Sequence, residues 1–209
     1  MHQIERDDAE GFIAKWSGVK ASELSTSQSF LADLCQLLGV PGPHPTAEQD
    51  YMFERPITFV HGDGSSSAGR IDLYRRGAFV LESKKVKAGP TSKGFDEALL
   101  RARSQAEGYA RALPAVEGRP PFVVVVDVGN RIELYAEFSR SGATYTPFPD
   151  PRSHRIALAD LREDAVRERL RHVWLDPMAL DPSRESARVT REIAARLADV
   201  AIVTDDNPR

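Results

Sequence analysis

The run "PFVVVVDVG" (residues 121–129) limits the fold more than any other stretch. Its apolar residues are continuous rather than alternating. That marks a strand buried on both faces, so each face needs its own covering layer. A long amphipathic segment precedes it. Phe95, Leu99, Ala102, Ala106, Tyr109, Ala110 and Leu113 recur at helical spacing across residues 92–113, and Pro114 ends the pattern. A helix laid against a two-sided strand is the signature of an α/β layer structure.

The chain before this point supplies more of the same sheet. Residues 7–18 carry Phe12, Ile13 and Trp16 at helical spacing. A second helix is expected from about Ser22, a possible N-cap, with Phe30, Leu31, Leu34, Leu37 and Leu38 as its apolar stripe. Gly39 and the following "PGPHP" stop it. The period then changes to two. "YMFERPITFV" reads as a strand, with Pro56 pointing to an edge or a bulge. "GDGSSSAG" reads as a flexible loop. "RIDLY" and "AFVLESK" read as strands joined around Arg75, Arg76 and Gly77, and "NRIELYAEF" pairs back onto "PFVVVVDVG" across Gly129-Asn130. After residue 140 the texture loosens, and a boundary is drawn near residue 145. "RIALADL" is expected as a last strand, followed by helices in "EDAVRERLRHVWLDP" and beyond Pro182. This divides the chain into residues 1–145, an α/β core with a mixed sheet, and residues 146–209, a strand and helical extension.

Bulk composition excludes several classes. One cysteine, Cys35, allows no disulfide within the chain, which fits a reducing cytoplasm. No apolar run approaches membrane-spanning length. A net charge of −3 does not advertise a nucleic-acid binder, although a basic cleft can sit on an acidic body.

The chemistry concentrates in "RIDLYRRGAFVLESKK", residues 70–85. Glu82 and Lys84 are two apart on one strand and share a face. Asp72 sits opposite Glu82 only if the hairpin midpoint is residue 77, which requires a three-residue loop Arg76-Gly77-Ala78. Two carboxylates on adjacent strands form a hard oxygen site suited to Mg²⁺. Such a cation lowers the pKa of a bound water and neutralises charge on a scissile phosphate. Lys84 would orient the water or stabilise developing charge. Against this stands the ordinary cross-strand ion pair on a solvated face. The surrounding Ile71, Leu73, Val80 and Leu81 favour a central position instead.

Asp72, then nine residues, then Glu82-Ser83-Lys84 resembles the PD-(D/E)xK nuclease signature, though Ile71 stands where a proline is usual. The resemblance implies a restriction-endonuclease-like αβββαβ core with a mixed central sheet, here with a C-terminal helical extension. It also implies Mg²⁺-dependent DNA cleavage, with Mn²⁺ as substitute. "QAEGY" resembles the Q-x-x-x-Y element of RecB-like nucleases. It places Gln105 and Tyr109 on one helix face as supports of the site, against the alternative of a core tyrosine beside a surface glutamine. Such nucleases often add a helix-borne carboxylate, for which Glu23 is the candidate; a first-turn glutamate favoured by the helix dipole is the alternative. Lys85, Lys87, Lys93 and Arg101 are candidate DNA-backbone contacts, or else a solvated face.

Over the longer span, "GRIDLYRRGAFVLESKK", "ARSQAEGYARALP" and "LDPMALDPSRESARVTREIAARLADVA" resemble the N-terminal region of MmeI-like fused restriction–modification enzymes and phage-defence DNA methyltransferases. In that family a helical connector, an adenine methyltransferase domain and a target-recognition domain follow. The resemblance implies an N-terminal fragment of a longer enzyme whose partners are double-stranded DNA and those domains. S-adenosylmethionine would bind the parent protein and not this chain, which has no N-P-P-Y motif. Cleavage of both strands implies self-association on DNA. The competing expectation is a catalytically silent DNA-binding or protein-docking module on the same fold.

Overall fold

The computed structural model describes residues 2–19, 24–44, 50–84 and 93–205. Two helices come first, α1 (His2–Trp16) and α2 (Leu24–Leu38). Gly39, at φ 63°, takes the left-handed conformation that closes α2. Strands β1 (Tyr51–Val60), β2 (Ser66–Arg75) and β3 (Phe79–Lys84) follow, then α3 (Lys93–Ala112), β4 (Phe122–Asp127) and β5 (Arg131–Ala136). The C-terminal part adds two short strands, β6 (Thr146–Pro147) and β7 (Arg155–Ala157), then α4 (Asp164–Leu175) and α5 (Pro182–Asp205).

The strands form one mixed sheet in the order β1-β2-β3-β4-β5-β6, with β7 also on β5. Only β3 and β4 run parallel, and α3 is their crossover. Every residue of β4 is buried, as its unbroken apolar run requires. Its even and odd positions serve different layers. Phe122, Val124 and Val126 join a cluster with Phe12, Phe30, Leu34, Leu170 and Trp174, the covering side of α1, α2 and α4. Val123 and Val125 join Phe95, Leu99, Ala102 and Ala106 of α3 on the other face.

Two expectations need correcting. "GDGSSSAG" is not a loop throughout. Only the turn around Asp63 is, and Ser66 to Gly69 pair with Val60 to Ile57 in a regular ladder that extends β2. Backbone pairing overrides the weak strand propensity of serine and glycine there. "RIALADL" is strand only over Arg155–Ala157; a 3-10 turn over Leu158–Arg162 follows, because Leu158 and Leu161 turn into the core. The sheet and its core continue past residue 145. β6 and β7 pair with β5, and Val166, Leu170, Val173 and Trp174 of α4 lie in the same cluster as Phe79. Ser22, the suggested N-cap of α2, lies outside the described residues.

Candidate active site

The site begins with the hairpin register. Arg75 pairs with Phe79, Tyr74 with Val80 and Leu73 with Leu81. The loop is therefore Arg76-Gly77-Ala78, with Gly77 at φ 72°. This odd loop is the one that puts Asp72 level with Glu82.

At that level the strands part. The ladder stops at Leu73–Leu81, and the next backbone donor of β3, the Ser83 N–H, goes to Asp72 Oδ2 at 2.7 Å. The Ser83 hydroxyl donates to the same oxygen at 2.8 Å. A side chain has replaced a strand partner, which fixes the Asp72 carboxylate between β2 and β3.

Glu82 follows from the alternation of β3. Phe79 and Leu81 face the cluster of α1, α2 and α4, and Val80 faces α3. Glu82 and Lys84 continue the α3 side. Glu82 is 1% exposed. Lys84 Nζ donates to its Oε1 at 2.5 Å, while Oε2 is buried with no hydrogen-bond partner among the described residues. Burial pushes the carboxyl up to about 7, with the like charges of Asp72 and Glu54 adding and Lys84 opposing. The Lys84 side chain is 39% exposed, so its ammonium borders solvent.

Gln105 and Tyr109 meet each other, with Gln105 Nε2 donating to Tyr109 Oη at 2.8 Å. Tyr109 also packs on the far half of the β1–β2 hairpin. Its ring stacks at 5.6 Å on Phe59, and a Cβ on Gly69 would lie 2.7 Å from its Cε1. Only glycine lets the tyrosine approach so closely. Glu23, Lys85 and Lys87 lie outside the described residues. Lys93 starts α3, and Arg101 is exposed on it. Arg103, in the same basic run, is engaged elsewhere: it bonds Glu107 and the Tyr145 carbonyl and stacks over Tyr135.

One acidic residue escaped the motifs. Glu54 of β1 falls opposite Asp72, since Phe53 pairs with Leu73 and Arg55 with Ile71. The turn at "GDG" was the available signal, because a hairpin centred on Asp63 fixes that register.

A model of the MmeI N-terminal domain matches residues 5–202. The chain belongs to that family. No curated protein and no solved structure matches it. Membership of the MmeI N-terminal domain family points to a region of a restriction–modification enzyme, and so to DNA and the other domains of such an enzyme as its surroundings. Among the described residues of this MmeI-type domain, no helix is long and apolar enough to cross a membrane.

The donor set fits a hard divalent cation. Asp72 and Glu82 offer carboxylate oxygens only, and Glu82 Oε2 is a buried acceptor without a donor among the described residues. Among the described residues, no three acidic, histidine or cysteine side chains converge as a complete ligand set. Mg²⁺ is commonly held in this way, by one or two carboxylates with waters and substrate phosphates in the remaining positions.

Proposed function

We propose that this domain is the Mg²⁺-dependent DNA endonuclease of a restriction–modification or phage-defence enzyme, hydrolysing phosphodiester bonds. The observation that carries the proposal is the bare, buried Oε2 of Glu82 beside the fixed carboxylate of Asp72. A lone buried acceptor is costly, and a cation is the partner that two adjacent carboxylates favour.

In this reading Asp72 and Glu82 hold the metal, and Ser83 keeps Asp72 aimed by donating twice to one oxygen. Bound Mg²⁺ would supply Lewis acidity toward a phosphoryl oxygen and a water of lowered pKa. Lys84 stands at the solvent border of the pair, where its ammonium can orient the attacking water and meet charge on the phosphate. Gln105 and Tyr109 support the site indirectly, by holding the β1–β2 hairpin against α3. Lys85, Lys87, Lys93 and Arg101 follow the third strand and would track the DNA backbone. Methyltransferase and target-recognition domains of a parent chain would direct cleavage, S-adenosylmethionine would bind there, and two copies would associate to cut both strands.

The test is a calorimetric Mn²⁺ titration of the wild type and of Glu82→Ala. Binding in the first that is lost in the second is the expected result. A wild type that binds no Mn²⁺ in the presence or absence of DNA favours the second reading, a silent DNA-binding or docking module.

A further inference from the structure

The row of Glu54 and Asp72 is where the β1–β2 hairpin changes faces. Before it, Tyr51 and Leu73 enter the cluster of α1, α2 and α4. Beyond it, Ile57 and Ile71 enter the cluster of α3. All four positions are odd-numbered, so regular alternation would have kept each strand's pair on one face. The reversal falls at Glu54, whose φ is 52°. A non-glycine residue rarely adopts that backbone. At the reversal the two acidic side chains stand on neighbouring strands, with Glu82 on the next.

Nothing among the described residues holds Glu54 as a structural anchor. Its Oε1 is buried without a hydrogen-bond partner, as is Oε2 of the almost fully buried Glu82. Burial and the charge of Asp72 raise the Glu54 carboxyl above its ordinary range. The charge of Arg70 opposes this at Glu54, without an ion pair between the two among the described residues. Two buried oxygens of like-charged groups are thus left bare around Asp72.

We infer that Glu54 is a third acidic member of the cation site, accepting a hydrogen bond from a metal-bound water rather than ligating the metal itself. The inference rests on the nuclease reading above. A direct ligand role for Glu54 is not what the geometry offers, since three carboxylates do not form a complete ligand set among the described residues. Indirect contact follows from the cation, because Mg²⁺ keeps several waters whose hydrogens need acceptors. A buried, partnerless carboxylate oxygen is such an acceptor. Glu54 is therefore a positioning residue: it orients a water and adds negative charge without touching the metal.

The experiment compares wild type, Glu54→Gln, Glu54→Asp and Glu82→Ala by thermal melts with and without Mn²⁺ and by calorimetry. Without cation, Glu54→Gln is expected to melt at or above the wild type, because one of three crowded negative charges is gone. It should bind Mn²⁺ about tenfold more weakly, as losses at residues behind a metal's ligands commonly do. Glu54→Asp, which keeps the charge, should retain most of the affinity. Glu54→Gln binding like wild type while Glu82→Ala fails to bind would overturn the role of Glu54 and leave the Asp72–Glu82 site standing. Glu54→Gln and Glu54→Asp both melting well below wild type without cation would make Glu54 a folding residue and also overturn it. A wild type that binds no Mn²⁺ would overturn both this inference and the reading beneath it.

Discussion

Glu82 and Glu133 are two glutamates in one row of one sheet, each 1% exposed, separated only by Val125 of β4. Their surroundings differ. Tyr135 Oη donates to Glu133 Oε2 at 2.7 Å, and Oε1, though it accepts no hydrogen bond among the described residues, forms an ion pair with Arg155 Nε at 2.9 Å. Arg155 reaches on to Asp96 of α3, so this glutamate ties β5, β7 and α3 together. Glu82 has Lys84 on one oxygen, no partner among the described residues on the other, and acids as neighbours. Burial alone therefore does not mark a site. A buried carboxylate with a cation and a hydroxyl on its two oxygens is architecture; on the proposed reading, one left bare beside like charge is where a cation would bind.

The widest break between the two should appear in catalysis. In an enzyme form that cleaves DNA, Glu82→Ala is expected to reduce Mg²⁺-dependent cleavage about a thousandfold or more, because metal stabilisation of the transition state is worth several kcal/mol. Glu133→Gln should leave the rate within a small factor, and equal losses in both would erase the distinction. Stability should reverse the ranking. Glu133→Ala removes the acceptor of a buried tyrosine and the partner of Arg155, and urea denaturation should show a loss of about 3 kcal/mol.

pH sharpens the contrast. The Glu82 carboxyl is raised to about 7 in the fold, well above its ordinary 4.5. The folded state thus holds this proton more tightly than the unfolded chain. Its favourable contribution is complete below pH of about 4.5 and is lost as pH rises through about 7, at a cost on the order of 3 kcal/mol. Cation-free protein should lose stability across that window, and Glu82→Gln should flatten the slope. Urea melts at pH 5 and pH 8 measure it; an unchanged slope in Glu82→Gln would contradict the assignment. The smallest expected effect is at Gly69. Gly69→Ala forces a methyl to within 2.7 Å of Tyr109 and 3.0 Å of Phe59. It should cost about 2 kcal/mol and loosen the hairpin half that carries Glu54. A thermal melt with no loss would show that Tyr109 gives way freely.

The sequence carried the sheet's centre well. An unbroken valine run needs two covering layers, and the helix before it had one apolar stripe to give. The level of Asp72 with Glu82 was legible too, because strand parity and a glycine at the midpoint leave one loop length. Glu54 was hidden by the serines that follow it across the turn. "SSSAG" has the composition of a loop, and only pairing with β1 turns it into strand and sets the register. Glu133 was hidden for the opposite reason. A glutamate in the alternating "RIELY" looks solvent-facing, and its partners are the Tyr135 hydroxyl and the charge of the distant Arg155, which local pattern does not reveal.

The most direct test of the cation site is a crystal of this domain soaked in Mn²⁺, with anomalous difference density measured at the manganese edge. One peak about 2.1 Å from an oxygen of Asp72 and from Glu82 Oε2 is the predicted result. A peak elsewhere, or none between these two carboxylates at saturating Mn²⁺, would contradict it.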